Sequence, residues 1–121
     1  MIQGKGNIFA DIPAQLMEER FETIVERSGA RIERIISYGQ STPEGEWYDQ
    51  VQDEWVLLIS GSAELLIEGE IEPRQLGPGD YLLLPARCRH RVVRTDRDEK
   101  TIWLAIHLNP EPYSNSIRST A

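Results

Sequence analysis

The sequence predicts an all-β protein, a barrel or sandwich of antiparallel strands with at most one short helix near the amino terminus. Apolar segments of strand length recur along the chain, and turn residues separate them every eight to twelve positions. No long segment repeats at the helical period. With 121 residues, 40% of them hydrophobic, the chain is long enough to bury one ordinary core.

The amino-terminal third begins with the only predicted helix, Pro13–Arg20, for which Asp11 is a candidate cap. Phe21–Glu26 alternates apolar or β-branched residues with charged ones, which predicts a half-buried strand. A turn at Ser28-Gly29 leads into a second strand, Arg31–Ser37. The Pro43- and Gly45-containing segment that follows predicts a loop.

The rest of the chain predicts six further strands that pair with their neighbours. They are Trp55–Ile59, Ala63–Glu68, Glu70–Leu76, Tyr81–Leu84, Arg91–Arg94 and Thr101–Leu108. Tyr81–Leu84 ends at Pro85, which cannot donate a hydrogen bond to a sheet.

Composition excludes several classes of partner. A net charge of −7 repels nucleic acid, so we expect no nucleic-acid partner. The longest apolar runs are far too short to span a bilayer, so we expect no membrane association. A single cysteine, Cys88, excludes an internal disulfide and favours a cytoplasmic protein.

Two spaced motifs then point to a family. Glu54 is followed by Gly61, and Gly79, Pro85 and His90 follow further along the chain. These residues resemble the second half of the first motif and most of the second motif of the cupin superfamily. Here Arg87 and Arg94 stand where the second motif has glycine and asparagine. The turn Leu76-Gly77-Pro78-Gly79-Asp80 is also typical of cupins.

The resemblance covers about residues 31–108 and implies a single cupin jelly-roll barrel of the RmlC-like kind. We therefore expect one domain over residues 1–121, with an extension at 1–30 and a polar tail at 110–121. The resemblance also implies a homodimer. The histidine pair that precedes the glutamate in many cupins is missing, because its position falls on Trp47 and Asp49 or on Tyr48 and Gln50.

One interpretation of the remaining residues is a divalent-metal site. Metal-binding cupins hold iron, manganese, nickel or zinc with two histidines, the glutamate and the later histidine, and Glu54 and His90 match the last two. If Trp47 and Asp49 occupy the histidine positions, Asp49, Glu54 and His90 could face one another. His107, near the end of the last strand, is a candidate fourth ligand.

The alternative is a metal-free interior in which Glu54 and His90 form a buried polar pair. Strand alternation places Arg94 on the same face as His90, where it could pair with Glu54. Tyr48, Trp47, Arg94 and His107 are then the candidate ligand-pocket residues. Arg87, Arg89 and Arg91 could attract an anion or form a solvated rim, and Cys88 is expected to be an inert thiol.

These observations predict a protein that binds a small molecule in the barrel, with a divalent metal held by a reduced ligand set as one option. The second hypothesis is a metal-dependent cupin enzyme of the dioxygenase or isomerase type, acting on a small polar metabolite. A third is a structural dimer with an empty barrel. The reaction and the ligand do not follow from the fold.

Overall fold

Eight antiparallel strands form the regular secondary structure of residues 4–111, the part of the chain that this computed structural model describes. In chain order they are β1 (Arg20–Arg27), β2 (Ala30–Ser37), β3 (Asp53–Ser60), β4 (Ala63–Ile67), β5 (Arg74–Leu76), β6 (Tyr81–Leu84), β7 (His90–Thr95) and β8 (Thr101–Leu108). Each of the eight predicted strands corresponds to one of these, although β5 occupies only the last part of Glu70–Leu76.

The strands form two sheets. Five of them hydrogen-bond in the order β1-β2-β8-β3-β6, and three in the order β5-β4-β7. Side chains from both sheets form one buried core. Alternation along β3 places Val56 and Leu58 in this core, while Trp55 and Leu57 face outward and are half-buried. The all-β cupin jelly roll expected from the sequence is confirmed.

The predicted helix at Pro13–Arg20 is wrong, because residues 4–111 contain no helix and β1 already begins at Arg20. The backbone of this region bonds to the rest of the protein instead. The Gln40 side-chain amide donates to the carbonyl oxygen of Leu16 at 3.2 Å, and just before this region the Arg34 guanidinium donates to the carbonyl oxygens of Ile8 and Ala10 at 2.9 and 2.7 Å. These tertiary contacts satisfy carbonyls and outweigh a weak helical preference.

A β-bulge in β7 changes which side chains enter the barrel. Opposite β4, the pairing passes from Glu64↔Arg94 to Leu65↔Val92, so Val93 is an extra residue without a partner in β4. The inward sequence is therefore His90, Val92 and then Thr95, not His90, Val92 and Arg94. The bulge turns Arg94 to the outside.

Within residues 4–111 there is no helix that could span a membrane. The predicted polar tail at 110–121 lies outside the described residues from position 112 onward.

Candidate functional site

A cavity of about 60 Å³ lies between the two sheets. One wall is apolar and is formed by Phe21, Ile35, Val56, Leu65, Leu84, Val92 and Trp103. The polar lining consists of Glu19, Glu33, Tyr48, Gln50, Glu54, His90 and His107. Within the part of the chain that the structure describes, no arginine or lysine belongs to this lining, which decides much of the site's electrostatics.

Strands β2, β3 and β8 supply three of the polar groups. Glu54 lies directly opposite His107 in the register of β3 and β8, and Glu33 faces inward from β2. The Nε2 atom of His107 lies 2.9 Å from Oε1 of Glu33, a hydrogen-bond distance. All three side chains are buried, so each needs a polar partner inside the barrel.

His90, the first residue of β7, approaches Glu54 from the smaller sheet. Its Nε2 lies 3.6 Å from Oε1 of Glu54, the distance of an ion pair rather than of a short hydrogen bond. Its Nδ1 is 3.0 Å from the carbonyl oxygen of Cys88, to which it donates. Burial acts to lower the pKa of His90, but Glu54 and the Cys88 carbonyl together raise the pKa above its usual value.

Tyr48 is held beside His90 by backbone pairing. The two residues form an isolated antiparallel bridge with N–O distances of 2.7 and 3.1 Å. Their rings stack with centroids 5.4 Å apart. Burial raises the pKa of the Tyr48 phenol, and the charges of Glu19, Glu54 and Glu46 raise it further. The hydroxyl is therefore a hydrogen-bond donor over a wide pH range.

The two alternatives for the missing histidine pair are now distinguished. Tyr48 and Gln50 line the cavity, so they occupy the inward positions that precede Glu54. Asp49 points outward and pairs with Arg87, with 2.8 Å between Oδ1 and Nε. The bridge to His90 selects this orientation, because the segment 42–50 runs along β7 with Tyr48 as its paired residue.

The predicted metal set of Asp49, Glu54 and His90 is not brought together, because Asp49 is at the surface. Among residues 4–111, no three His, Cys, Asp or Glu side chains are arranged to hold a metal ion. His107 faces inward as expected, but its Nε2 is engaged by Glu33. Glu54 and Nε2 of His90 offer two donors where protein metal sites ordinarily supply at least three. The described side chains therefore do not fit the metal predicted from the sequence.

The predicted pairing of Arg94 with Glu54 is also wrong. Arg94 lies outside the barrel and its Nε is 3.2 Å from Oε2 of Glu64. The extra residue Val93 breaks the alternation on which the prediction depended.

Trp47 belongs to the outer surface of the site rather than to the cavity. The guanidinium groups of Arg89 and Arg91 lie over its ring, 5.6 and 5.9 Å from the centroid. Arg89 also pairs with Glu68 at 2.8 Å, and Arg91 donates to the Thr42 carbonyl at 3.0 Å. Each of these arginines thus has its own protein partner.

Two cavity carboxylates, Glu19 and Glu33, are not among the residues predicted from the sequence. Strand alternation could have identified Glu33, because it shares a face with Ile35 and Ser37 in a largely apolar strand. Glu19 precedes β1 and carries no sequence signal. It accepts a hydrogen bond from Ser37, whose hydroxyl also accepts one from Trp103 Nε1 at 3.2 Å. Burial raises the pKa of Glu19 despite the bond from Ser37.

The arrangement supports two kinds of chemistry. Glu54 beside His90 places a carboxylate next to an imidazole that readily takes a proton, which suits hydrogen bonding to a ligand or proton transfer. Among residues 4–111, the Tyr48 hydroxyl and the Gln50 side-chain amide make no side-chain hydrogen bond, so both can serve a ligand. Cys88 is a half-buried free thiol outside the lining.

The family model for the cupin domain matches residues 35–107. No match was found among curated proteins. A crystal structure from Ralstonia eutropha JMP134, of a protein proposed to be a mannose-6-phosphate isomerase, is 52% identical, with a TM-score of 0.86. That alignment covers 88% of this chain and 99% of the other.

Two more distant structures agree in fold. A cupin superfamily protein from Desulfitobacterium hafniense DCB-2 is 19% identical over 89% of this chain and 94% of its own, with a TM-score of 0.69. An RmlC-like cupin with a double-stranded β-helix fold from Methanocaldococcus jannaschii is 15% identical over 90% and 93%, with a TM-score of 0.66. With its two sheets, its matched motif residues and these relatives, the chain belongs to the cupin superfamily.

Proposed function

We propose that this cupin binds a small polar molecule inside the barrel, against Tyr48, Gln50, Glu54 and His90. The observation that carries the proposal is the cavity itself, where polar groups with unused hydrogen-bonding capacity face an apolar wall. Burying such groups without hydrogen-bond partners is unfavourable. A water molecule or a ligand that bonds to them therefore lowers the free energy of the folded protein.

The roles of the residues follow from their contacts. Glu54 accepts hydrogen bonds from the ligand, since only Oε1 is directed at His90. Tyr48 donates its phenolic proton, and the stacked His90 ring fixes the position of Tyr48. Glu33 holds His107 in one orientation and so shapes the floor of the cavity.

A panel of small polar metabolites tests this function by thermal shift and then by calorimetric titration. We expect at least one compound to bind the wild type with saturation and to lose about tenfold or more in affinity with Glu54→Gln. The matched control is Glu64→Gln, which makes the same change in a strand residue that pairs with Arg94 outside the cavity. Equal affinities for both variants would contradict a site inside the barrel.

A second candidate is an isomerase that works by proton transfer. The 52% identity to the Ralstonia protein favours it, together with the adjacent base and acid in Glu54 and His90. Interconversion of an aldehyde and a ketone needs a base to remove a proton from carbon and an acid to protonate oxygen. Phosphorylated and unphosphorylated aldoses incubated in D₂O would show enzyme-dependent deuterium incorporation by NMR, and Glu54→Gln would abolish it. Deuterium incorporation that is unchanged in Glu54→Gln would show that Glu54 is not the base.

A further inference from the structure

We propose that the ligand of the barrel carries a positive charge, as a small ammonium or alkylammonium group, and that phosphate esters are excluded. This inference rests on the proposed binding function and specifies the chemical class of the ligand. Its basis is the combination of three carboxylates and three aromatic side chains around a cavity to whose lining residues 4–111 contribute neither arginine nor lysine.

The charges of the lining favour a cation. Glu33 and Glu54 balance both cavity histidines even when both imidazoles are protonated, and Glu19 adds negative charge whenever it is ionised. Arg31, which is not a lining residue, also pairs with Glu33, with 3.5 Å between its Nε and Oε2, so the preference for a cation rests chiefly on Glu54 and Glu19. A cation entering the cavity replaces its hydration by fixed carboxylates, whereas an anion meets repulsion in a partly desolvated space.

The aromatic side chains point to the same ligand. Phe21, Tyr48 and Trp103 all line the cavity. The indole N–H of Trp103 is already engaged by Ser37, so the ring offers the cavity its carbon surface. Aromatic faces attract ammonium groups, most strongly where water is excluded. Carboxylates together with aromatic rings therefore complement both the charge and the alkyl substituents of an alkylammonium ion.

Phosphate recognition would require groups that the described residues do not supply to this cavity. Proteins bind phosphate through arginine, lysine or clustered backbone N–H groups. The four arginines nearest His90 in the sequence all have other partners and do not line the cavity: Arg87 pairs with Asp49, Arg89 with Glu68 and Arg94 with Glu64, and Arg91 donates to the carbonyls of Thr42 and Pro43. The net charge of −7 over the chain adds to the repulsion. A sugar phosphate is therefore a poor match for this interior, despite the activity proposed for the Ralstonia protein.

Matched probes test the charge preference on the wild-type protein. Choline is compared with its neutral isostere 3,3-dimethylbutan-1-ol, ethanolamine with ethylene glycol, and mannose 6-phosphate with mannose. Binding is measured by calorimetry and by the shifts of the two histidine ring signals. We expect the cation of at least one of the first two pairs to bind about tenfold more tightly than its neutral partner. Added salt should lower the affinity for the cation. Mannose 6-phosphate should leave the chemical shifts of both histidine rings unchanged.

Two variants locate the effect. Glu54→Gln should remove most of the preference for the cation, and Glu64→Gln on the outer surface should retain it. Circular dichroism and thermal melts establish that both variants fold, while the wild-type comparison stands independently of them. Neutral probes that bind as tightly as the cations, or saturable binding of mannose 6-phosphate at the histidines, would overturn the charge inference and leave the binding function standing. Failure of every probe and of the wider metabolite panel would overturn both.

Discussion

Glu54 on β3 lies directly opposite His107 on β8, and this pairing places a carboxylate and an imidazole side by side on the inner face of the larger sheet. His90 reaches the same carboxylate from the smaller sheet. Glu54 therefore lies beside a histidine from each of the two sheets. The site depends on strand register, because a shift of one residue would turn Glu54 outward.

The first prediction concerns protonation of His90. Because Glu54 contributes to the raised pKa of this imidazole, Glu54→Gln should lower the pKa of His90. The chain has only two histidines, so ring C–H signals followed by NMR against pH resolve both titrations. Glu64→Gln serves as the control. An unchanged His90 titration in Glu54→Gln would contradict the ion pair.

The same raised pKa makes stability depend on pH. A group whose pKa is higher in the folded state binds its proton more tightly there, so its stabilisation is complete below the unfolded pKa of about 6.5. That stabilisation is lost as pH rises through the folded pKa of His90. Urea unfolding of the wild type should therefore show a free energy that falls from about pH 6.5 upward. His90→Gln should flatten this part of the pH profile. A free energy of unfolding that rises with pH over this range would contradict the raised pKa of His90.

Gly61, a residue of the first motif, is predicted to be irreplaceable for steric reasons. Its φ is +86°, and a Cβ added there would lie 2.6 Å from the Cα of Thr101. Gly61→Ala should therefore destabilise the protein by about 2–5 kcal/mol. Gly45 has the same φ of +86° with open space around it, so Gly45→Ala isolates the conformational cost, about 1–2 kcal/mol. Equal losses of unfolding free energy in Gly61→Ala and Gly45→Ala, measured with urea, would show that the contact with Thr101 is unimportant.

Arg94 should contribute little to stability, because both Arg94 and its partner Glu64 are partly open to solvent. Arg94→Ala is expected to change the free energy of unfolding by about 0–1 kcal/mol. Removing an arginine buried against Glu54 would instead leave an unpaired interior charge and cost about 3–5 kcal/mol. Chemical denaturation distinguishes the two values, and the larger one would argue against the bulge at Val93.

The homodimer expected from the family resemblance remains a proposal, and the outer face of the larger sheet is where we place it. Trp55 contacts Tyr81 there, and both Tyr81 and Leu83 are exposed although apolar or aromatic. Light scattering after size exclusion should give twice the chain mass for the wild type. Leu83→Glu should give monomers, whereas Ile71→Glu, at an exposed position outside the strands, should not. A monomeric wild type would contradict the dimer.

Much of the fold was predictable because turn residues and period-two alternation mark each strand locally. Tyr81–Leu84 and Thr101–Leu108 were predicted with the bounds that the structure has. The predicted helix at Pro13–Arg20 is wrong, because Gln40, distant in the chain, donates to the Leu16 carbonyl and β1 begins at Arg20. Such contacts are invisible in a local pattern.

The site was only partly predictable. Glu54 and His90 were found through their motif spacing, and they do lie together in the interior. Arg94 was misplaced because a bulge has no clear sequence signature and reverses the facing of every later residue in the strand. Asp49 was misplaced because two spacings were equally compatible with the motif, and only the bridge between Tyr48 and His90 distinguishes them.

The central claim is that the barrel interior around Glu54 is a ligand site. The most direct measurement is a histidine-selective NMR titration with the tightest-binding compound of the metabolite panel. We predict that the ring signals of both His90 and His107 move and saturate in the wild type, and that Glu54→Gln weakens this response while Glu64→Gln does not. A compound that binds without moving either histidine, or a panel in which nothing binds, would contradict the account.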